Sequence, residues 1–175
     1  MDWRDDPRFV AAVEELMQSE GPRGEIANDP HDPGGLTRWG ISSRSYPKVN
    51  VRNLSRDDAC AIYYRDFWVG RRVGDIQDYD LASEVLDLIV TNPTAIIRAL
   101  QHAIPKTGGT AVEADGHLGN VTLYAVNTHP NPKWLLDRFR IEAIKFYKEL
   151  NRSRFLASWV GRTLAWATGG NTFLS

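Results

Sequence analysis

Glu20 closes a helical pattern and is followed by an acidic, glycine-rich stretch, Asn28-Asp29-Pro30-His31-Asp32-Pro33-Gly34-Gly35-Leu36-Thr37-Arg38-Trp39-Gly40-Ile41-Ser42. A carboxylic acid at the end of a rigid helix, met by polar groups that a bend returns toward it, suits acid-catalysed cleavage of a glycosidic bond. That reaction needs a proton on the leaving oxygen as positive charge builds on the sugar ring. An exposed glutamate, with a pKa near ~4.3, is ionised at neutral pH, so the donor has to lie against apolar surface that penalises its charged form. Trp39, Ile41 and Tyr64 are the candidates for that surface. Gly34-Gly35 admits positive φ and close backbone approach, which lets the bend fold back beside the acid. Glu25 stands on the same stretch as a rival to Glu20.

Other side chains suit a sugar without reacting with it. Trp39 and Tyr64 are candidate stacking surfaces, and Asn92 and Gln101 are candidate hydrogen-bond partners for N-acetyl groups. Tyr63, Phe67 and Trp68 sit in a helical pattern and read more as core than as sugar platform. Asp29, His31 and Asp32 are adjacent in a proline-rich turn and lack cation-site geometry, and the four histidines have no zinc-ligand spacing. Neither a metal nor a cofactor is expected. The single Cys60, between two alanines, reads as a buried thiol without a disulfide partner.

Helices must position these groups. Asp6-Pro7 is a cap followed by an N1 proline, and Phe9, Val10, Val13, Leu16 and Met17 fall on one face, predicting a first helix to about Ser19. Gly21-Pro22 stops it, and from there to Gly40 the chain reads as loop with short strands. Ser55-Arg56-Asp57-Asp58 is a capping-box pattern ahead of a helix through Phe67. Leu81, Val85, Leu88 and Ile89 form one further face, and Ile96, Ile97, Leu100 and Ile104, after Asn92-Pro93, form its neighbour. Asp115-Gly116 marks a turn, with Thr122 expected to cap a short helix through Asn127. Leu135, Phe139, Ala143, Phe146 and Leu150 predict a long helix from Pro132, and a last one is expected over 154–167.

Composition excludes several classes of partner. Lys plus Arg number 21 and Asp plus Glu 22, a net charge of −1 with no electrostatic footprint for nucleic acid or an anionic membrane. The opening lacks a basic start followed by an apolar run, and no stretch reaches the ~20 apolar residues of a membrane span, so soluble synthesis in the cytoplasm is expected, without stable membrane insertion.

The order of these motifs resembles glycoside hydrolase family 108, the muramidases found as phage endolysins and bacterial secretion-activator proteins. Glu20-Gly21 and then Asn28 through Ile41 are similar to its signature. Leu54-Ser55 with Ile62 through Trp68 is similar to a following segment, with Phe67 where a tyrosine is usual. Leu100-Gln101, Asp115-Gly116, Gly119 and Thr122 resemble the peptidoglycan-binding region that comes next. Arg140, Tyr147, Phe155, Trp159 and Arg162 resemble its closing pattern, with Ser158 where a glycine is usual. Glu20 lies twelve residues before Asp32, a longer interval than is usual in the family.

The resemblance implies a mainly α, lysozyme-like helical fold with a Gly/Pro-rich active-site loop or small β element. It implies a muramidase half over 1–90 and a peptidoglycan-binding-like half over 91–175, packed as one compact body. It further implies an N-acetylmuramidase that hydrolyses the β-1,4 bond between N-acetylmuramic acid and N-acetylglucosamine, with Glu20 as general acid. By analogy with phage-type lysozymes, Asp32 is the electrostatic partner or base and Thr37 orients water, although both residues also suit local turn formation. The expected setting is a monomeric phage endolysin, made in the host cytoplasm and released to the wall by a holin or another export route. A non-catalytic peptidoglycan-binding or secretion-accessory protein and a lytic transglycosylase are the alternatives.

Overall fold

The computed structural model describes residues 2–19, 24–27, 35–90 and 92–149. Glu20 and Asp32, together with the helix expected over 154–167, lie outside the described residues. The chain is mainly helical, with a single two-stranded β element among the described residues, as the sequence predicts. It forms two compact units, Met1–Gly70 and Arg71–Ser175.

In the first unit, helix α1 (Pro7–Ser19) starts where expected because Asp6 caps it, one carboxylate oxygen accepting from the amides of Arg8 and Phe9. The other oxygen accepts the indole N–H of Trp68 at 2.8 Å, so one side chain both starts the helix and ties it down. Phe9, Ala12, Val13, Leu16 and Met17 are buried; Val10 is only half-buried, with Ala12 in the interior instead. Each large member of that face contributes about 1.5–3 kcal/mol through burial. An ion pair from Arg56 to Glu14 joins α1 to α2 (Arg56–Tyr63). The Ser55–Asp58 capping box that opens α2 is present, and Cys60 is buried within it, its thiol pushed up to about 11 by burial.

Beyond Tyr63 the helix departs from expectation. Tyr64–Val69 is a π-helix, and it ends at Gly70, whose amide bonds the carbonyl of Arg65 at 3.0 Å. A Cβ there would meet the carbonyl oxygens of Arg65 and Asp66 at 2.7 and 2.8 Å, so the wide turn terminates on glycine. Tyr64 and Trp68, four positions apart and so on one face, both reach Phe9, with ring centroids at 4.9 and 5.6 Å.

In the second unit, α3 (Tyr79–Ile89), α4 (Pro93–Lys106), α5 (Asn120–Asn127) and α6 (Pro132–Glu149) pack mainly through α4 on α6 and α3 on α4. Instead of one apolar face, α3 is buried all round from Leu81 to Ile89, including Ser83, Glu84 and Asp87. It groups with α4 and α6 rather than with the residues before Gly70. The buried Glu84 is held by Arg140 of α6, with contacts of 2.7 to 3.0 Å. On α6, Tyr147 is buried while Phe146 is half-exposed, a shift of one position from the sequence reading. No helix among the described residues is long and apolar enough to cross a membrane.

Candidate active site

The described residues around the acidic loop form its stem. Ala27 and Thr37 exchange both backbone hydrogen bonds at 2.9 Å, closing the segment between them at its base. Thr37 continues into the strand pair β1 (Thr37–Arg38) and β2 (Ile41–Ser42), in which Thr37 faces Ser42 and Arg38 faces Ile41. The Thr37 hydroxyl donates to the Gly35 carbonyl at 3.3 Å, which leaves its oxygen lone pairs available. Thr37 is therefore fixed on two sides of its backbone beside the loop.

The turn joining β1 to β2 is Trp39-Gly40, and both residues have positive φ, 52° and 72°. This is the tight hairpin geometry that Asn-Gly normally supplies. A tryptophan in that conformation costs about 1–3 kcal/mol of backbone strain, which its surroundings must hold in place. They do so in three ways. Tyr63 donates its hydroxyl to the Trp39 carbonyl at 2.9 Å. The indole is buried, 9% exposed, against Gly24. Gly24 itself has φ +63°, and any Cβ there would run into the ring atoms Cζ2, Cε2 and Cη2.

Arg38 completes the brace. Its Nε donates to the Gly24 carbonyl at 3.0 Å and an Nη1 to the Arg52 carbonyl at 2.7 Å, so one guanidinium ties the entry to the loop, the hairpin and the turn Val51–Asn53 together. Tyr46 donates to Asp66 at 3.0 Å, and Arg65 pairs with the same carboxylate at 2.6 Å. The Arg65 guanidinium holds the Asp66 carboxyl below its ordinary range, while burial and then that carboxylate raise the Tyr46 phenol above its own. Sequence reading missed Tyr46, Arg38 and the bracing role of Tyr63. Of these, only Tyr63 bonds the positive-φ turn itself.

The remaining predicted residues fall as follows. Trp39 is a buried pillar rather than an open stacking face, and its indole N–H has no partner among the described residues. Tyr64, also 9% exposed, packs edge-on to Phe9. Phe9 lies ten residues before Ser19, so Tyr64 meets α1 about 15 Å along the helix from its C-terminal end. Ile41 is buried in β2 and Glu25 is exposed. Asn92 caps α4, accepting the Ala95 amide at 3.2 Å. Gln101 is 1% exposed: its amide nitrogen reaches Asp115, the His117 carbonyl and Thr122 at 2.8 to 3.1 Å, and its oxygen accepts from Gly116 at 2.9 Å. Gln101 thus belongs to the fold and has no donor left for a sugar. Thr122 faces this amide and does not cap α5, which begins after Gly119.

Residues 13–92 match the model of the family described as glycosyl hydrolase 108, and residues 95–164 match a predicted peptidoglycan domain. No curated protein matches the chain. The fold is similar to the structure of Brucella abortus SagA, with a TM-score of 0.67 and 22% identity over 91% of this chain and 95% of that one. At that identity the likeness speaks for the fold alone.

Proposed function

We propose that this chain, whose residues 13–92 match the glycosyl hydrolase 108 family and whose residues 95–164 match a peptidoglycan domain, is a peptidoglycan-acting glycosyl hydrolase with N-acetylmuramidase activity on the β-1,4 bond between N-acetylmuramic acid and N-acetylglucosamine. The observation that carries this reading is the hydrogen-bonded loop stem at Ala27 and Thr37, directly after α1, within the segment matched to the hydrolase family. In this reading Glu20, presented by the end of α1, protonates the glycosidic oxygen. Asp32, which lies between Ala27 and Thr37 in sequence, stabilises the oxocarbenium-like transition state or takes a proton from water, and Thr37, its hydroxyl bonded at the stem, orients that water. In this reading an apolar surface, for which Trp39 and Ile41 are the candidates, keeps the Glu20 carboxylic acid protonated.

The test is clearance of purified sacculi, with reducing ends and released muropeptides measured together. Glu20→Gln is expected to lower the rate by roughly 10²–10⁴-fold, the usual contribution of a general acid, while Glu25→Gln leaves it near wild type. Undiminished lysis by Glu20→Gln overturns the assignment, and anhydro-muramyl ends without reducing ends would make the enzyme a lytic transglycosylase. We further propose that the protein is a monomeric phage endolysin, made in the host cytoplasm and delivered by a holin or comparable route. Expression alone should then leave cells intact and co-expression with a holin should lyse them; lysis on expression alone overturns that setting.

A further inference from the structure

The second unit carries a groove of about 460 Å³ formed wholly by α4 and α6, within the size range of small-ligand sites. Its rim is cationic: Arg98, His102 and Lys106 follow one another at helical spacing along α4, and Lys145 stands on α6. The single carboxylate in the lining, Glu142, is 8% exposed and already neutralised by Lys106 at 2.9 Å, Arg138 at 2.7 Å and Lys145 at 3.3 Å. Glu142 therefore holds two of the rim ammonium groups in place without cancelling the groove's charge. Arg98 and His102 are exposed and have no hydrogen-bond or ion-pair partner among the described residues. The rest of the lining, Ala95, Ala99 and the half-buried Phe146, is apolar, with the two alanines leaving room against the helix.

An occupant of this groove must bring anionic oxygens for Arg98 and the two lysines, and small apolar groups for the alanine and phenylalanine surface. We propose that the groove binds the stem peptide of peptidoglycan, through its free carboxylates and the methyl groups of its alanines. A phosphate polymer of the wall supplies the charge without the apolar groups. This inference rests on peptidoglycan being the substrate and gives the second unit a separate task, holding the cross-linking peptide while the first unit acts on the glycan.

The experiment is calorimetric titration of the full chain with a free stem tetrapeptide, with the same peptide amidated at its carboxyls, and with inorganic phosphate. The tetrapeptide is expected to bind. Arg98→Glu, on a side chain the fold does not use, is expected to weaken it about tenfold, the value of one charge-assisted contact, and amidation, which neutralises every carboxylate, by more than that. Arg98→Lys should recover part of the loss, and the thermal midpoints of both variants should match wild type. Binding indifferent to Arg98→Glu or to amidation overturns the proposal, as does displacement of the peptide by low concentrations of phosphate. Reducing-end release from sacculi by the wild-type chain is read in parallel. Peptide binding without release would sink the muramidase reading and leave the groove standing, whereas release with peptide binding indifferent to Arg98→Glu would do the reverse.

Discussion

The two units use their polar side chains in opposite ways. In the first, Arg38, Tyr63 and Thr37 aim at backbone carbonyls, and what they hold is the shape of a loop stem. In the second, Glu84 with Arg140 and Gln101 with the 115–117 turn are shut inside the helices and satisfy one another. Polar side chains thus frame a loop stem in one region and specify packing in the other. Loss of a bracing group should tell on activity before stability, and loss of an interior group on stability before activity.

The largest effect should come from the interior. Arg140→Ala, measured at pH 8, leaves the fully buried Glu84 without its counter-ion and is expected to cost about 3–5 kcal/mol in denaturant unfolding. A loss below about 1 kcal/mol would erase the contrast between the units, being the size of an exposed pair. Glu84 sharpens the same point through pH. Burial, against the pull of Arg140, pushes its carboxyl from 4.5 up to about 7. The folded chain therefore keeps a proton that the unfolded chain releases, and this contribution is complete below pH 4.5 and lost as pH rises to about 7. The melting temperature of wild type relative to Glu84→Gln should fall across that window; a rise would show the ion pair outweighing burial.

Next in size is Gln101→Ala, expected to cost about 2 kcal/mol because it strands the Gly116 amide and loosens the 115–117 turn. Amide exchange at Gly116 should speed up, with kcat on sacculi unchanged. The smallest stability effect is expected from Tyr63→Phe, about 1 kcal/mol for one hydrogen bond. Because that bond restrains the strained Trp39, sugar release should drop by more than this stability loss explains. If Tyr63→Phe and Gln101→Ala affect kcat alike, the distinction between bracing and interior groups fails.

Local signals were legible in the sequence. The end of α1, the Ser55–Asp58 box and the Asn92-Pro93 start of α4 each depend on neighbours within four residues, and each stands where the pattern puts it. What was not legible depends on distant partners. The π-helix from Tyr64 has no local sequence signal, and its two aromatic rings meet Phe9, a residue more than fifty positions away. Nothing in Trp39-Gly40 announces a turn that asparagine usually makes, because the strain is offset by Gly24 and Tyr63. Gln101 offers donors and Asn92 an acceptor that a sugar could meet, and only the packing shows that a turn takes the first and a helix start the second. On α6 the one-place shift from Phe146 to Tyr147 is a rotation that periodicity alone does not fix.

The rung joining Ala27 to Thr37 makes everything between them a cassette. With the ends pinned to each other, adding residues inside costs only the slow logarithmic rise of loop closure, about 0.6 kcal/mol per doubling of length. A change in the number of residues between these two positions therefore carries little closure cost at the rung itself, which gives evolution, or an engineer, a place where length can vary around Asp32.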